Sequence, residues 1–396
     1  MTLLIELANL TDVAALTVLY RSIYGDDYPI EYGANPTLMA NSIANPETCL
    51  WLVMRDTKSS QLVGSCVFSL DKKNKIGKVG GVAVSQHYQG QRIATRLIAE
   101  GTKQLLELQN ELNSIYTTTR TLSVSSQLMF QNNQYLPLGI FPNAHKISNY
   151  ETVTLFAKYK EGVLQQRCFF SEIPGCLKPI MKVVNQYTGK KIHRQPLQSE
   201  ISSRLLSEAE SQYRQNVNKG KEVNFEYIEA KDFVNNRFNE VIIDKDKAAF
   251  FPFHEPNLLI SCVNLGLEIY AYFSPKDHYC VIVTSNIDLK TLNFHVKSIL
   301  TELKSRGVHY IECLLSIDRY QDIEYLYQCN FLPSAVYPAM RSVNQQTMDY
   351  VIMTKTMEPL NFSEMNIIKA FRPYIDQYTN LWINMHIKSI GVSDDY

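Results

Sequence analysis

One stretch constrains this chain more than any other. The apolar run Val82-Ala83-Val84 passes through the polar Ser85-Gln86-His87-Tyr88 and Gln89-Gly90-Gln91-Arg92 into Ile93-Ala94-Thr95-Arg96-Leu97. The last segment opens a stretch whose apolar residues recur at helical spacing. A strand that turns directly into a helix aims the first helical amides at the turn. Those amides have no intrahelical acceptor, and the aligned peptide dipoles add partial positive charge, so the turn suits an anion such as a pyrophosphate. Gly90 lets the backbone come close to it. An ordinary strand-to-helix connection has the same outline, and a single glycine does not separate the two.

The flanking pattern is that of a mixed α/β module. Leu3-Leu4-Ile5-Glu6-Leu7 reads as a strand, and Thr11-Asp12 offers a cap for a helix bearing Val13, Leu16 and Tyr20. Cys49 to Arg55 and Leu62 to Leu70 read as a hairpin, and after the polar turn at Asp71-Lys72-Lys73-Asn74 a strand runs from Val79 to Ser85. The helix from Ile93 carries Leu97, Ile98, Leu105 and Leu108, and Ile115 to Leu122 reads as a further strand.

Gln89-Gly90-Gln91-Arg92-Ile93-Ala94 resembles the acyl-CoA-binding motif of the GNAT superfamily of N-acyltransferases, Q/R-x-x-G-x-G/A. The element order from about residue 3 to residue 160 is the order expected of that fold. Arg92 stands where the family has its central glycine. The resemblance implies that an amine attacks the thioester of an acyl-CoA, most commonly acetyl-CoA, with no metal. It further implies that the fourth strand splays from the fifth, so that the pantetheine arm pairs with the open edge and the pyrophosphate sits on the turn. The donor-binding positions are then Val82, Ala83 and Val84 on the strand, and Gln89, Gly90, Gln91, Arg92, Ile93, Ala94 and Thr95 on the turn. Arg92 and Arg96 either add charge there or are solvated arginines on the first turns of a helix.

Candidate catalytic groups are less well defined. Many members of the family place a tyrosine acid in a pattern like L-Y-x-x-x-G-F; here Phe130 takes the tyrosine position and Gln134 the glycine position, and Phe130 has no proton to donate. The strand from Gly77 to Val84 carries no carboxylate. The remaining candidates are Ser126, His145 and Tyr28. Ser126 belongs to Ser125-Ser126-Gln127 near the end of the fifth strand, where such residues commonly cap helices. His145 is a candidate because histidine is the side chain suited to acid–base work, although a lone loop histidine is more often structural. Tyr24, Asp26 and Asp27, with Tyr28 and Glu31, lie in the loop that borders the acceptor site in GNAT proteins. Acidic and aromatic residues there suit a cationic amine, while Gly25, Asp26 and Pro29 also suit an ordinary turn.

A faint repeat organises the rest. Phe130 to Pro137 followed by Phe141-Pro142 is echoed by Leu326 to Pro333 followed by Tyr337-Pro338. Upstream of the second copy, Leu267 to Phe273 and Tyr279 to Thr284 read as a hairpin, Leu289 to Leu303 as a helix and Val308 to Leu315 as a strand. The expected fold is therefore α/β, with two tandem GNAT-like domains, each a mixed, mostly antiparallel sheet flanked by helices. Residues 1–160 form the acyl-CoA-binding domain, 161–222 a connector with a helix near Glu200 to Val217, 223–360 a degenerate second domain and 361–396 a helical extension. Ser285 to Thr291, in the position of the phosphate turn, has no glycine and carries Asp288, so the donor is expected in the first domain only.

Charge is balanced, with 39 basic and 39 acidic residues, which gives no field toward nucleic acid or an anionic membrane. Eight cysteines without a CxxC pair read as reduced thiols in a cytoplasmic protein, and neither a signal peptide nor a membrane span is expected. The reading is an N-acyltransferase using acetyl-CoA, its acceptor a small-molecule or protein amine, with a possible protein partner for the second domain. The alternative is a catalytically inactive GNAT-like protein that binds acyl-CoA or another macromolecule.

Overall fold

The hairpin expected from Cys49 to Leu70 forms as β2 (Cys49–Asp56) and β3 (Leu62–Asp71) in the computed structural model. The structure describes residues 3–25, 35–146, 149–170, 172–189, 195–196, 224–245, 248–287, 295–343 and 345–389. β1 (Leu3–Leu7) pairs antiparallel with β2. The first helix, α1 (Val13–Tyr24), buries Leu16, Leu19 and Tyr20. Its entry is capped earlier than Thr11-Asp12: Asn9 accepts from the Thr11 amide, and the Asp12 carboxylate accepts from the Asn9 amide, closing a capping box around a 3-10 turn. α2 (Pro36–Ile43) follows, with Asn35 as its cap. β4 (Ile76–Val84) begins three residues ahead of Val79, because Lys75 takes a left-handed conformation (φ 56°) that closes the turn after Asp71. Then come α3 (Ile93–Lys103), β5 (Ser114–Arg120), α4 (Val124–Asn132), β6 (Leu136–Lys146) and β7 (Tyr150–Tyr159).

A short connection holds β8 (Glu172–Ile173), α5 (Lys178–Thr188) and β9 (Gln195–Pro196). The helix expected near Glu200 to Val217 lies outside the described residues. The second half comprises β10 (Glu226–Ile228), α6 (Lys231–Val241), β11 (Leu258–Cys262), β12 (Leu267–Ser274), β13 (Tyr279–Ser285) and α7 (Val296–Ser305). It continues with β14 (Tyr310–Ser316), α8 (Tyr320–Gln328), β15 (Leu332–Val343) and β16 (Gln346–Thr356), and the described chain closes on α9 (Arg372–Ser389).

The two halves do not form separate sheets. Fourteen strands make one sheet in the order β1-β2-β3-β4-β5-β7-β6-β15-β16-β14-β13-β12-β11-β10, with β6 and β15 as neighbours joined at one paired position. Read from either end, the order within each half is the same. Each half has one parallel pair, β4 with β5 and β13 with β14. At the junction Gly139 faces Ala335, and these are matching positions of the sequence echo. The echo extends to irregularities. The β6–β7 ladder shifts between Pro137 and Gly139 and between Phe141 and His145, and the β15–β16 ladder shifts between Pro333 and Ala335 and between Tyr337 and Arg341.

α9 crosses the junction. Tyr374 Oη donates to the Pro137 carbonyl (2.7 Å) on one side, and Gln377 Nε2 donates to the Pro333 carbonyl (3.2 Å) on the other. One long apolar core runs under α3, α4, α5, α7, α8 and α9, while α1 and α6 cover separate clusters elsewhere in the sheet. No helix among the described residues is long and apolar enough to cross a membrane. None of the eight cysteines is in a disulfide.

Candidate functional site

β4 stays beside β5 only over Ile76↔Ser114, Gly77↔Ile115 and Lys78↔Tyr116, and then the two part. From Val79 onward β4 keeps β3 as its neighbour, with a register shift between Ser65 and Val67 and a left-handed Gly81 (φ 56°). α1 holds this irregular segment in place. Tyr20 Oη donates to the Gly81 carbonyl (2.5 Å) and lies 3.1 Å from Ser65 Oγ, which also accepts from Trp51 Nε1 (2.8 Å). One turn later Tyr24 Oη donates to the Val82 carbonyl (2.6 Å), its ring stacked on Tyr20. The result is a wedge-shaped opening with a fixed strand edge.

The strand leads through a 3-10 turn, Gln86–Tyr88, to an exposed Gln89-Gly90-Gln91-Arg92. Gly90 has φ 79° and Arg92 φ 57°, so Arg92 keeps a left-handed backbone where the motif has glycine. Arg92 is the N-cap of α3 and makes no side-chain cap, and no acidic residue occupies the first turn. The turn amides are thus presented to solvent in an electropositive setting, as a phosphate requires. Buried Ile93 anchors the helix start from below. Arg96 reaches back to the Leu3 carbonyl (3.4 Å).

The other expected site residues are scattered. Tyr28, Asp26 and Asp27 lie outside the described residues. Tyr24 grips Val82 of β4, so its hydroxyl points at the strand edge. Ser126 is half-buried in the first turn of α4, which is capped by Ser123 rather than by Ser125 or Ser126. Gln127 is buried and clamps the C-terminal segment: its Nε2 donates to the Asn366 carbonyl (2.7 Å), and its Oε1 accepts from the Ile368 amide (3.1 Å). His145 Nδ1 lies 3.2 Å from Asp277 Oδ1 across the junction. Phe130 is buried against Tyr135 and Phe156, and Gln134 holds φ 64°.

Three polar groups missed in the sequence converge on the face that carries Ile76. Lys78 lies two residues along β4 and so shares that face. Burial lowers its pKa, opposed by the charge of Glu312. Glu312 on β14 is 5 % exposed and accepts from Tyr279 Oη (2.8 Å) and Tyr310 Oη (3.0 Å). Burial pushes its carboxyl up to about 7, against those two hydrogen bonds and the charges of Lys78 and His145. His254 is held far below the usual histidine range by burial and then by Lys78. The available signal was a charged residue inside an otherwise apolar strand, as with Glu312 within Tyr310 to Leu315.

Comparison with known proteins bears on the first of these features. The acetyltransferase (GNAT) family model matches residues 13–132. No curated protein matches. Among solved structures, a GNAT-family acetyltransferase from Streptococcus pneumoniae is 16 % identical, with 40 % of this chain and 99 % of that chain covered and a TM-score of 0.36. The ribosomal-protein-S5-alanine acetyltransferase from Vibrio fischeri is 15 % identical over 41 % of this chain and 95 % of that one, with a TM-score of 0.36. Spermidine N-acetyltransferase from Vibrio cholerae, solved with CoA and spermine, is 16 % identical over 40 % and 95 %, with a TM-score of 0.35. The segment of this chain that matches the GNAT acetyltransferase family therefore runs from α1 to the end of α4 and contains both the β4 opening and the Gln89–Thr95 turn.

Proposed function

We propose that this chain is an acyl-CoA-dependent N-acyltransferase that moves an acetyl group from acetyl-CoA to a primary amine. The observation that carries the proposal is the parting of β4 from β5 after Lys78, just ahead of a turn whose helix has no side-chain cap. An extended donor can lie along the open strand edge at Val82 to Val84 with its phosphates on the amides between Gln91 and Thr95. Backbone donors near the carbonyl and fixed registration of amine and thioester would supply most of the rate. Ser126, His145 and Tyr28 are the candidates for assisting the leaving sulfur, and Asp26, Asp27 and Tyr24 for bordering the acceptor. We place the protein in the cytoplasm, in keeping with its free cysteines.

We further propose two tandem GNAT-like units, residues 1–160 and 223–360, with the connector at 161–222, the C-terminal extension at 361–396 and the donor in the first unit. The matching strand order, parallel pairs and ladder shifts support the duplication. The turn that would distinguish the second unit, from Asp288 onward, lies outside the described residues. A second reading, acyl-CoA binding without turnover, is favoured by Phe130, which fills the acid position with a buried ring.

Titration calorimetry with acetyl-CoA tests the donor site. One site is expected in the natural chain and none in Gly90→Glu, because a side chain at φ 79° strains the turn and its charge repels phosphate. An added Cβ at Gly90 meets nothing within 4 Å, so the variant should fold. Unchanged affinity in Gly90→Glu overturns the site.

A further inference from the structure

The cluster around Glu312 reaches across the junction. Tyr116 of β5 and Tyr310 of β14 belong to one aromatic core with Tyr337, Phe250 and the half-buried Tyr279. Glu312, Tyr116, Tyr310 and Tyr337 are buried, whereas Lys78, His254, Tyr279 and Phe253 keep part of their surface accessible. In the site proposed below the buried set would be the floor and the half-exposed set the rim. Lys78, at the rim, is also the last β4 residue before the strands part, so the floor lies beside the place where a donor on the open edge would present its thioester.

The floor and rim carry both charges and unmet hydrogen-bonding capacity. Among the described residues Glu312 accepts from two tyrosines, leaving lone pairs on a carboxylate that can accept about four bonds. Lys78 has no direct ion-pair partner among the described residues. Among the described residues, Tyr116 Oη, on a side chain that is 2 % exposed, and His254 Nδ1 have no hydrogen-bond partner although both atoms are buried. Buried polar groups are normally satisfied, so a polar molecule brought to this place would meet two atoms with hydrogen-bonding capacity to spare. Aromatic faces complete the setting: Phe253 lies 5.6 Å from the Tyr116 ring, and Tyr279 stacks on Tyr310 at 5.6 Å.

A simple cation here meets Lys78, and a simple anion meets Glu312. A molecule that bears both charges pairs with each of them and leaves neither charge uncompensated. We propose, resting on the N-acyltransferase reading, that the acceptor is an amine that also carries an acidic group, held between the two halves with its ammonium at Glu312 and its anion at Lys78, His254 and Tyr116.

In the reaction the ammonium gives one proton to the Glu312 carboxylate. The freed nitrogen attacks the thioester carbonyl carbon, the C–N bond forms, and the C–S bond breaks with its electron pair leaving on the CoA sulfur. The amide nitrogen then loses its second proton, which protonates the thiolate, and Glu312 returns its proton to solvent. The products are the acetylated amine, CoA as thiol and one proton. The titratable groups that interact with Glu312 are Tyr279 and Cys280 from β13, Tyr310 and Cys313 from its own strand, Tyr116 from β5, Lys78 from β4 and His145 from β6, the last paired with Asp277. With its carboxyl near 7, Glu312 gains its charge as pH rises through neutrality, so the rate climbs over the same interval.

The test pairs the proteinogenic L-amino acids with their decarboxylated amines, L-lysine against cadaverine for example, using acetyl-CoA and the full chain. The expected result is at least one amino acid favoured about tenfold or more in kcat/KM over its decarboxylated partner. Lys78→Met should remove that preference by raising KM for the amino acid alone. Glu312→Gln should lower kcat about 100-fold and abolish the rise in rate between about pH 6 and 8, with thermal melting confirming that both variants fold. Turnover confined to amines without an acidic group, no turnover across the panel while acetyl-CoA binds, or a preference untouched by Lys78→Met overturns the proposal. Failure of acetyl-CoA to bind overturns instead the acyltransferase reading on which it rests.

Discussion

Arg92 and Gln134 each occupy a position that the GNAT patterns give to glycine, and each keeps a glycine-like backbone, at φ 57° and φ 64°. A residue with a Cβ pays roughly 1–2 kcal/mol for that conformation, and neighbouring structure must impose it. At Gln134 the imposing contacts are local: its amide donates to the Gln131 carbonyl (2.9 Å) and the Tyr135 amide to the Phe130 carbonyl (3.1 Å), closing the end of α4. At Arg92 the buried Ile93 that follows fixes the helix start. Replacing Arg92 with glycine should raise stability by up to about 1 kcal/mol in a melting experiment, the relief of strain being partly offset by a freer unfolded chain. If the guanidinium assists the phosphates, acetyl-CoA affinity falls in the same variant, so stability and affinity move in opposite directions. The sequence displayed both mismatches with the motif, but not that the backbone would retain its shape around them.

At the scale of elements, the connections decide how the helices and strands are held. Arg167, just past β7, is 4 % exposed and forks onto Asp349 of β16, with Nε 2.9 Å from Oδ1 and Nη2 2.7 Å from Oδ2, while its Nη1 donates to Thr188 Oγ1 of α5 (3.2 Å). Asp349 also accepts from the amide of Ala339, which has φ 50°. Arg167→Ala should destabilise the chain by about 3–5 kcal/mol in chemical denaturation, because it leaves a buried carboxylate without this partner. Replacing both residues with apolar side chains of similar volume should recover most of that loss. Periodicity located β1 to β5 and β12 to β14 to within a few residues, since alternation and turn residues are local signals, but it did not single out β6, β7, β11, β15 or β16. It gave no indication of the Arg167–Asp349 link or of Gln127 clamping Asn366 and Ile368, because side-chain partners far apart in the chain leave no periodic trace.

At the scale of the whole molecule, the two halves of the sheet meet where β6 adjoins β15. A Cβ built on Gly139 would lie 2.3 Å from Ala335 Cα and 2.5 Å from the Ser334 carbonyl oxygen, both backbone atoms that cannot turn aside. Gly139→Ala should therefore cost about 1–3 kcal/mol and loosen the junction. Denaturant unfolding read separately by fluorescence and far-UV dichroism should lose coincidence in the variant; a single unchanged transition would show that β6 and β15 accommodate the methyl. α9 resists such separation by bonding to Pro137 and Pro333, one on each side.

The sequence by itself determined the strand–turn–helix at Val82 to Leu97, the β2–β3 hairpin and the echo between residues 130–142 and 326–338. These rest on side-chain alternation, turn chemistry and spacing, which act within a few residues. Tertiary structure decided that the two halves share one sheet, that α1 holds the open edge of β4, and that Lys78 and His145 come within reach of Glu312. The reason is that strand edges pair by exposed backbone groups common to every sequence. Which edges meet, and therefore which buried charges become neighbours, follows from packing the entire chain at once.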